Sequence, residues 1–230
     1  MPWQLPLGVG IQDDATFANF LPADNAPAVA ALGEQLLRDD EPLIYLWGSA
    51  SSGRSHLLQA ACHAASDRGM RALYVPLDQL GHFPPLMLED TEQLDLLALD
   101  NIDVVMGRKR WEEGLFHCFN RLRDAKRRLV VSAPCAPRHL EVKLPDLASR
   151  LGWGMTFHLA TLNDEQRCQA LILRASARGM QLPEEVARYI LHRGPRQLGL
   201  LFETLDRLHT ASLSAQRKLT IPFVKQALAW

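Results

Sequence analysis

Gly48, Ser49, Ala50, Ser51, Ser52, Gly53, Arg54 and Ser55 have the spacing of a phosphate-cradling loop, Gly-x-x-x-x-Gly-Lys-Ser, with arginine in the lysine position. Glycines let a backbone curl around an anion, successive amides and a helix N-terminus stabilise its charge, and the last hydroxyl can hold magnesium. His56 follows where the helical stretch begins. A guanidinium still neutralises phosphate, but it is planar and bulkier than an ammonium. Binding is therefore expected to survive at Arg54, while hydrolytic geometry is expected to suffer.

A second signal is the apolar run Leu96, Leu97, Ala98 and Leu99, which ends at Asp100. A carboxylate there can hold a nucleotide's magnesium through its water shell, which makes Ser55 and Asp100 the candidate metal ligands. Hydrolysing sites of this kind place a second carboxylate next to orient the attacking water. Here the residue is Asn101, which cannot accept a proton. The four cysteines include no Cys-x-x-Cys pair, so a zinc site is not expected.

Positioning these groups requires an alternation of strands and helices. The strands are expected at 43–47, 72–75, 94–99, 129–133 and 155–159, and helices at 27–37, 56–68, 111–123 and 147–150. Near-continuous apolar strands separated by helices imply a parallel sheet covered on both faces. After Thr161 the strands cease. Asn163 with Gln166 three residues on reads as a capping box, and helices follow at 184–192, 197–212 and 222–228. The expected organisation is an extended arm over 1–12, an α/β nucleotide-binding domain over 13–160 and a small all-helical domain over 161–230.

The 230 residues carry 25 Lys+Arg against 26 Asp+Glu, a net charge of −1, which argues against coating nucleic acid by charge alone. The basic clusters 108–110 and 126–128 are expected to be solvated loop charge. No apolar run suits a membrane helix and the N-terminus is unlike a signal peptide, so the expectation is a cytoplasmic protein with no membrane partner.

Taken together, the phosphate loop, the strand ending in Asp100, the segment 147–157 and the helical C-terminal part resemble AAA+ ATPases of the DnaA type. That resemblance implies a P-loop AAA+ parallel sheet of 51432 strand order with helices on both faces, plus a helical lid. It also implies a bound ADP or other nucleoside diphosphate, with Mg2+ compatible. Phe20, Leu21 and Asn25 fall in the segment that wraps the base, Arg196 at the lid's sensor arginine, and Arg150 at the arginine finger that reaches a neighbouring subunit's triphosphate. Pro134 stands where the family commonly carries a sensor aspartate. The initiators continue into a helix-turn-helix DNA-binding domain beyond the lid, whereas this sequence stops at Trp230. It is therefore similar to the DnaA-related regulators that inactivate the initiator.

Within that resemblance, Gln4, Leu5 and Leu7 resemble the short motif that docks on the DNA polymerase III sliding clamp (the β subunit). The expected partners are DnaA and the clamp, with DNA reached mainly through the clamp; a homodimer would be one way to hide Arg150. The expected activity is stimulation of DnaA's ATP hydrolysis in trans by a degenerate ATPase. The rival readings are a self-sufficient P-loop ATPase or nucleotide kinase, and a helicase-loader-type module.

Overall fold

The computed structural model describes residues 15–36 and 43–230. The arm over 1–12, with Gln4, Leu5 and Leu7, lies outside the described residues. Residues 15–17 and 24–160 form one compact unit; Ala18–Ala23 and Thr161–Trp230 form a second. The short segment carrying Phe20 and Leu21, expected with the first domain, thus groups with the second unit.

The first unit is built on five strands: β1 (Leu43–Trp47), β2 (Ala72–Pro76), β3 (Leu96–Asp100), β4 (Arg128–Ala133) and β5 (Met155–His158). All are parallel, in the order β2-β3-β4-β1-β5, which is the 51432 order read from the other edge. Helices α1 (Ala26–Ala30), α2 (Arg54–Ser66), α3 (Leu77–Leu80), α4 (Lys109–Asp124) and α5 (Pro145–Leu151) complete it.

The central strands bury both faces, as their unbroken apolar character requires. Leu43 and Tyr45 of β1 join Leu97 and Leu99 of β3 in one core with Trp111 and Leu115 of α4. The intervening Ile44, Leu46, Leu96 and Ala98 are equally buried on the opposite face. There α2 packs along β2, β3 and β4.

Most boundaries shift by one or two residues from the sequence expectation, and two of the differences have a visible local cause. The helix expected over 27–37 is an α-turn followed by a π-helical turn, Ala31–Gln35, with Gly33 at its centre, a residue that weakens regular helix. Strand β3 starts at Leu96 rather than Leu94, because Asp95 turns aside to accept the Arg71 N–H at 2.8 Å and to pair with Arg127. That pairing also shows Arg127 tied into the structure, as is Arg108 through the Gly81 carbonyl at 2.7 Å.

The second unit contains α6 (Asp164–Ala177), α7 (Glu184–Arg193), α8 (Leu198–Ala215) and α9 (Ile221–Leu228) around Leu171, Val186, Ile190, Leu205 and Val224. The Asn163 side chain accepts the Gln166 N–H at 2.9 Å and the Gln166 side chain accepts the Asn163 N–H at 2.9 Å, completing the capping box. No helix among the described residues is long and apolar enough to cross a membrane.

Candidate nucleotide-binding site

Strand β1 runs directly into the loop Gly48–Gly53, which opens α2 at Arg54. Gly48 packs so closely that an added Cβ would lie 2.6 Å from the Leu159 carbonyl and 2.7 Å from Ser52 Oγ. Gly53 takes φ +94, open to glycine at little cost. Ser51 is also left-handed, at φ +65. Ser49, Ala50 and Ser51 are exposed, while Ser52 is buried. His56 Nε2 lies 2.9 Å from the Thr16 carbonyl; since a carbonyl only accepts, Nε2 carries the proton.

Two buried polar atoms of the loop, Ser52 Oγ and Arg54 Nη1, have no hydrogen-bond partner among the described residues. Buried donors in native proteins are almost always paired, so orphans at a curled, glycine-rich helix start suit an anion that would satisfy them. The residues present therefore fit a phosphate group.

Asp100 ends β3 almost completely buried. Its carboxylate accepts the Tyr74 hydroxyl at 2.7 Å and the Ser132 hydroxyl. Tyr74 comes from β2 and Ser132 from β4, the two neighbours of β3, so the strand order itself builds this clamp. Ser55 and Gln59 also interact with the Tyr74 hydroxyl, which places the loop's serine one hydroxyl away from Asp100. Burial, then the Asp100 charge, raises the Tyr74 pKa well above its ordinary value. Each Asp100 oxygen keeps one further acceptor direction, so Ser55 and Asp100 fit a cation held through water.

Asn101 takes φ +56, a left-handed position that asparagine tolerates better than most residues, and its N–H donates to Ser132 Oγ at 3.0 Å. Pro134 is exposed just past β4. The backbone beyond it is held by the Tyr45 hydroxyl, which donates to the Cys135 carbonyl at 3.0 Å.

Sequence reasoning missed three contributors. Tyr74 and Ser132 meet Asp100 only through sheet order. Asp103 lies in the 3-10 turn that follows β3; burial raises its carboxyl pKa, the Arg54 charge opposes this, and Asp100 and Asp78 add to it.

Arg150 lies elsewhere. It sits in the last turn of α5, where its guanidinium carbon is 3.9 Å from the centre of the Trp153 ring. The segment then enters β5, whose first residue, Met155, pairs with Ile44, while His158 pairs with Trp47 next to the phosphate loop. The turn after Arg150 therefore feeds one end of the sheet and the chain's own phosphate loop leaves the other, at opposite ends of strands about 13 Å long. Helix α5 is anchored by Glu112, a buried carboxylate that accepts N–H groups from Gly107 at 2.7 Å, Lys143 at 3.0 Å and Leu144 at 2.7 Å.

The remaining candidates divide between the units. Asn25 is buried in the first, its amide donating to the Ala160 carbonyl at 3.0 Å while its oxygen accepts the Ala160 N–H at 2.8 Å. Phe20 and Leu21 belong to the second, as does Arg196, exposed between α7 and α8.

The sheet order, phosphate loop and helical C-terminal unit define a P-loop AAA+ nucleotide-binding protein with a lid. Residues 11–158 match the family model described as the bacterial DnaA ATPase domain, and residues 164–228 match the model described as Hda, lid domain. The chain belongs to the bacterial DnaA ATPase-domain family of replication-initiation proteins and their regulators, with a lid of the Hda kind. Domain III of the Thermotoga maritima replication initiation protein DnaA is similar in fold, with TM-score 0.79 and 22% identity over 96% of this chain and 98% of that one. AMPPCP-bound DnaA from Aquifex aeolicus gives TM-score 0.71 and 22% identity over 89% of this chain and 68% of that one. The Thermotoga maritima RuvB Holliday junction branch migration motor gives 0.66 and 15% over 90% and 68%.

Proposed function

We propose that this chain is an ADP-bound regulator of replication initiation that stimulates ATP hydrolysis by DnaA in trans. One observation carries the reading: Arg150 is presented at the end of the sheet opposite the chain's own phosphate loop. An arginine that served its own nucleotide would have to stand beside that loop. An arginine at the far end can serve a triphosphate only on a neighbour, where such a finger contributes about a thousandfold or more to the rate.

The chain's own site is a holder. Gly48 to His56 grip a diphosphate, with magnesium, when present, held by Ser55 and Asp100. Arg54, Asn101 and Pro134 supply none of the groups that would activate water there. The family resemblance assigns Phe20, Leu21, Asn25 and Arg196 as further nucleotide contacts. It assigns Gln4, Leu5 and Leu7 to the sliding clamp, so that DNA is reached through the clamp in the cytoplasm. Tethering of this kind raises the effective concentration of a short-linked finger toward the millimolar range.

The test is DnaA–ATP hydrolysis on clamp-loaded DNA. The expected result is stimulation by the wild-type chain, with loss by Arg150→Ala and by Gln4→Ala. Full stimulation by Arg150→Ala, or ATP turnover by the chain alone at a rate typical of active AAA+ enzymes, overturns the reading.

A further inference from the structure

We infer that Trp153 is a positioning residue for Arg150, a platform that holds the guanidinium with its hydrogen-bonding edge facing outward. This rests on the trans-acting role proposed above for Arg150.

The two residues are joined twice. The Trp153 N–H donates to the Arg150 carbonyl at 3.1 Å, closing the turn that ends α5, and the guanidinium lies 3.9 Å over the indole. Among the described residues no hydrogen bond or ion pair holds the Arg150 side chain. A guanidinium paired with an internal carboxylate would have to break that pair before reaching a phosphate. Stacked on an aromatic face, it keeps its in-plane N–H donors available while losing the rotamer freedom that would otherwise be lost at the moment of docking.

The backbone that carries the platform is held in place. Trp153 is 58% exposed, unusual for so large an apolar side chain, yet it also lines a cavity of about 140 Å³ with Leu43, Phe119, Leu122 and Leu129. Gly154 follows it against β1 so tightly that any added Cβ would lie 2.6 Å from Leu43 Cβ. That contact leaves the backbone at Trp153 little room to swing. Burial of the indole in the core would serve stability better; exposure beside an unpaired arginine serves presentation.

The test titrates variants of the chain into DnaA–ATP hydrolysis on clamp-loaded DNA. Trp153→Ala is expected to lower the saturating rate about tenfold or more, the scale on which a misplaced catalytic group loses rate. The half-saturating concentration should stay within about twofold, and Trp153→Phe, which keeps an aromatic face, should restore most of the rate. In the chain alone, fluorine NMR with fluorotryptophan should show the Trp153 resonance, assigned by its absence in Trp153→Phe, shift in Arg150→Ala. An unchanged saturating rate in Trp153→Ala overturns the inference, as does a loss confined to half-saturation, which would mark a docking residue. A Phe variant as poor as the Ala variant overturns it too. If Arg150→Ala alone leaves hydrolysis intact, the trans-acting reading falls and takes the positioning role with it; if only the Trp153 variants are silent, that reading stands.

Discussion

Arg54 Nη1 and Asp103 Oδ1 are both buried without a hydrogen-bond partner among the described residues, and the Arg54 charge is felt at the Asp103 carboxyl. A guanidinium left uncommitted beside a carboxylate is ready to exchange a weak neighbour for a phosphate. The same carboxylate, with Asp100 and Asp78 near it, sets an opposing charge on any anion that arrives.

Removing Arg54 should therefore weaken binding rather than folding. Charge-assisted hydrogen bonds contribute roughly 1.5–3 kcal/mol, so Arg54→Ala should lower ADP affinity about 10- to 100-fold in calorimetric titration. Arg54→Lys should recover part of it. An affinity unchanged in the alanine variant would show that the guanidinium does not reach the phosphates.

Asp103→Asn should act in the opposite direction. Because the folded-state pKa is raised above the 3.8 of a free aspartate, this group's contribution to stability is present below that value and is lost as pH rises through the folded pKa. Above the folded pKa the ionised carboxylate opposes both folding and anion binding. The asparagine variant should bind ADP a few-fold more tightly at neutral pH, about 1 kcal/mol or less in free energy, with the advantage fading as pH falls through the folded pKa. Titrations across that range check it; a gain that grows on acidification would contradict the sign.

Glu112 should show the reverse pH dependence. Burial alone would raise its carboxyl, but the N–H groups of Lys143, Gly107 and Leu144 outweigh burial and hold it below the 4.5 of a free glutamate. Its contribution is present above that value and is lost as pH falls through the folded pKa. Glu112→Gln should cost about 2–3 kcal/mol at neutral pH and progressively less in acid, as read from urea midpoints. A penalty independent of pH would remove the charged form from the explanation.

Two neighbouring glycines make an internal control. A Cβ on Gly154 would press into Leu43, whereas a Cβ on Gly152 would meet only the Ser149 and Ala148 carbonyls, at an ordinary 3.5 and 3.9 Å. Gly154→Ala should destabilise by about 1–3 kcal/mol, the usual cost of overpacking, and Gly152→Ala should be nearly silent in thermal unfolding. Equal effects would mean that β5 does not seat against β1 as described.

Much of this was legible in the sequence because its signals are local. The phosphate loop, the strand ending in Asp100 and the Asn163–Gln166 capping box each occupy a few consecutive residues with their own physical logic. The Asp100 clamp was not, because Tyr74 and Ser132 are 26 and 32 residues away from it and meet it only once β3 lies between β2 and β4. Glu112 was hidden for the same reason: its partners at Lys143 and Leu144 lie 31 and 32 residues on. The Arg150–Trp153 stack was within reach, since a spacing of three at a helix end puts two side chains together. The grouping of Ala18–Ala23 with the second unit carries no local signal at all.

The reciprocal amide clasp between Asn25 and Ala160 joins residues 135 apart in sequence, near the two ends of the continuous part of the first unit. The last re-entry into that unit and its exit are thus one side chain apart, which makes the stretch between them a cassette in the engineering sense. Cut at those points, it could be set into a surface loop of a host protein without stretching either chain, since adjacent termini are what domain insertion requires. Mechanically, the clasp bridges the two ends in parallel with the sheet, so a pull on them would have to break it before it strained the strands between.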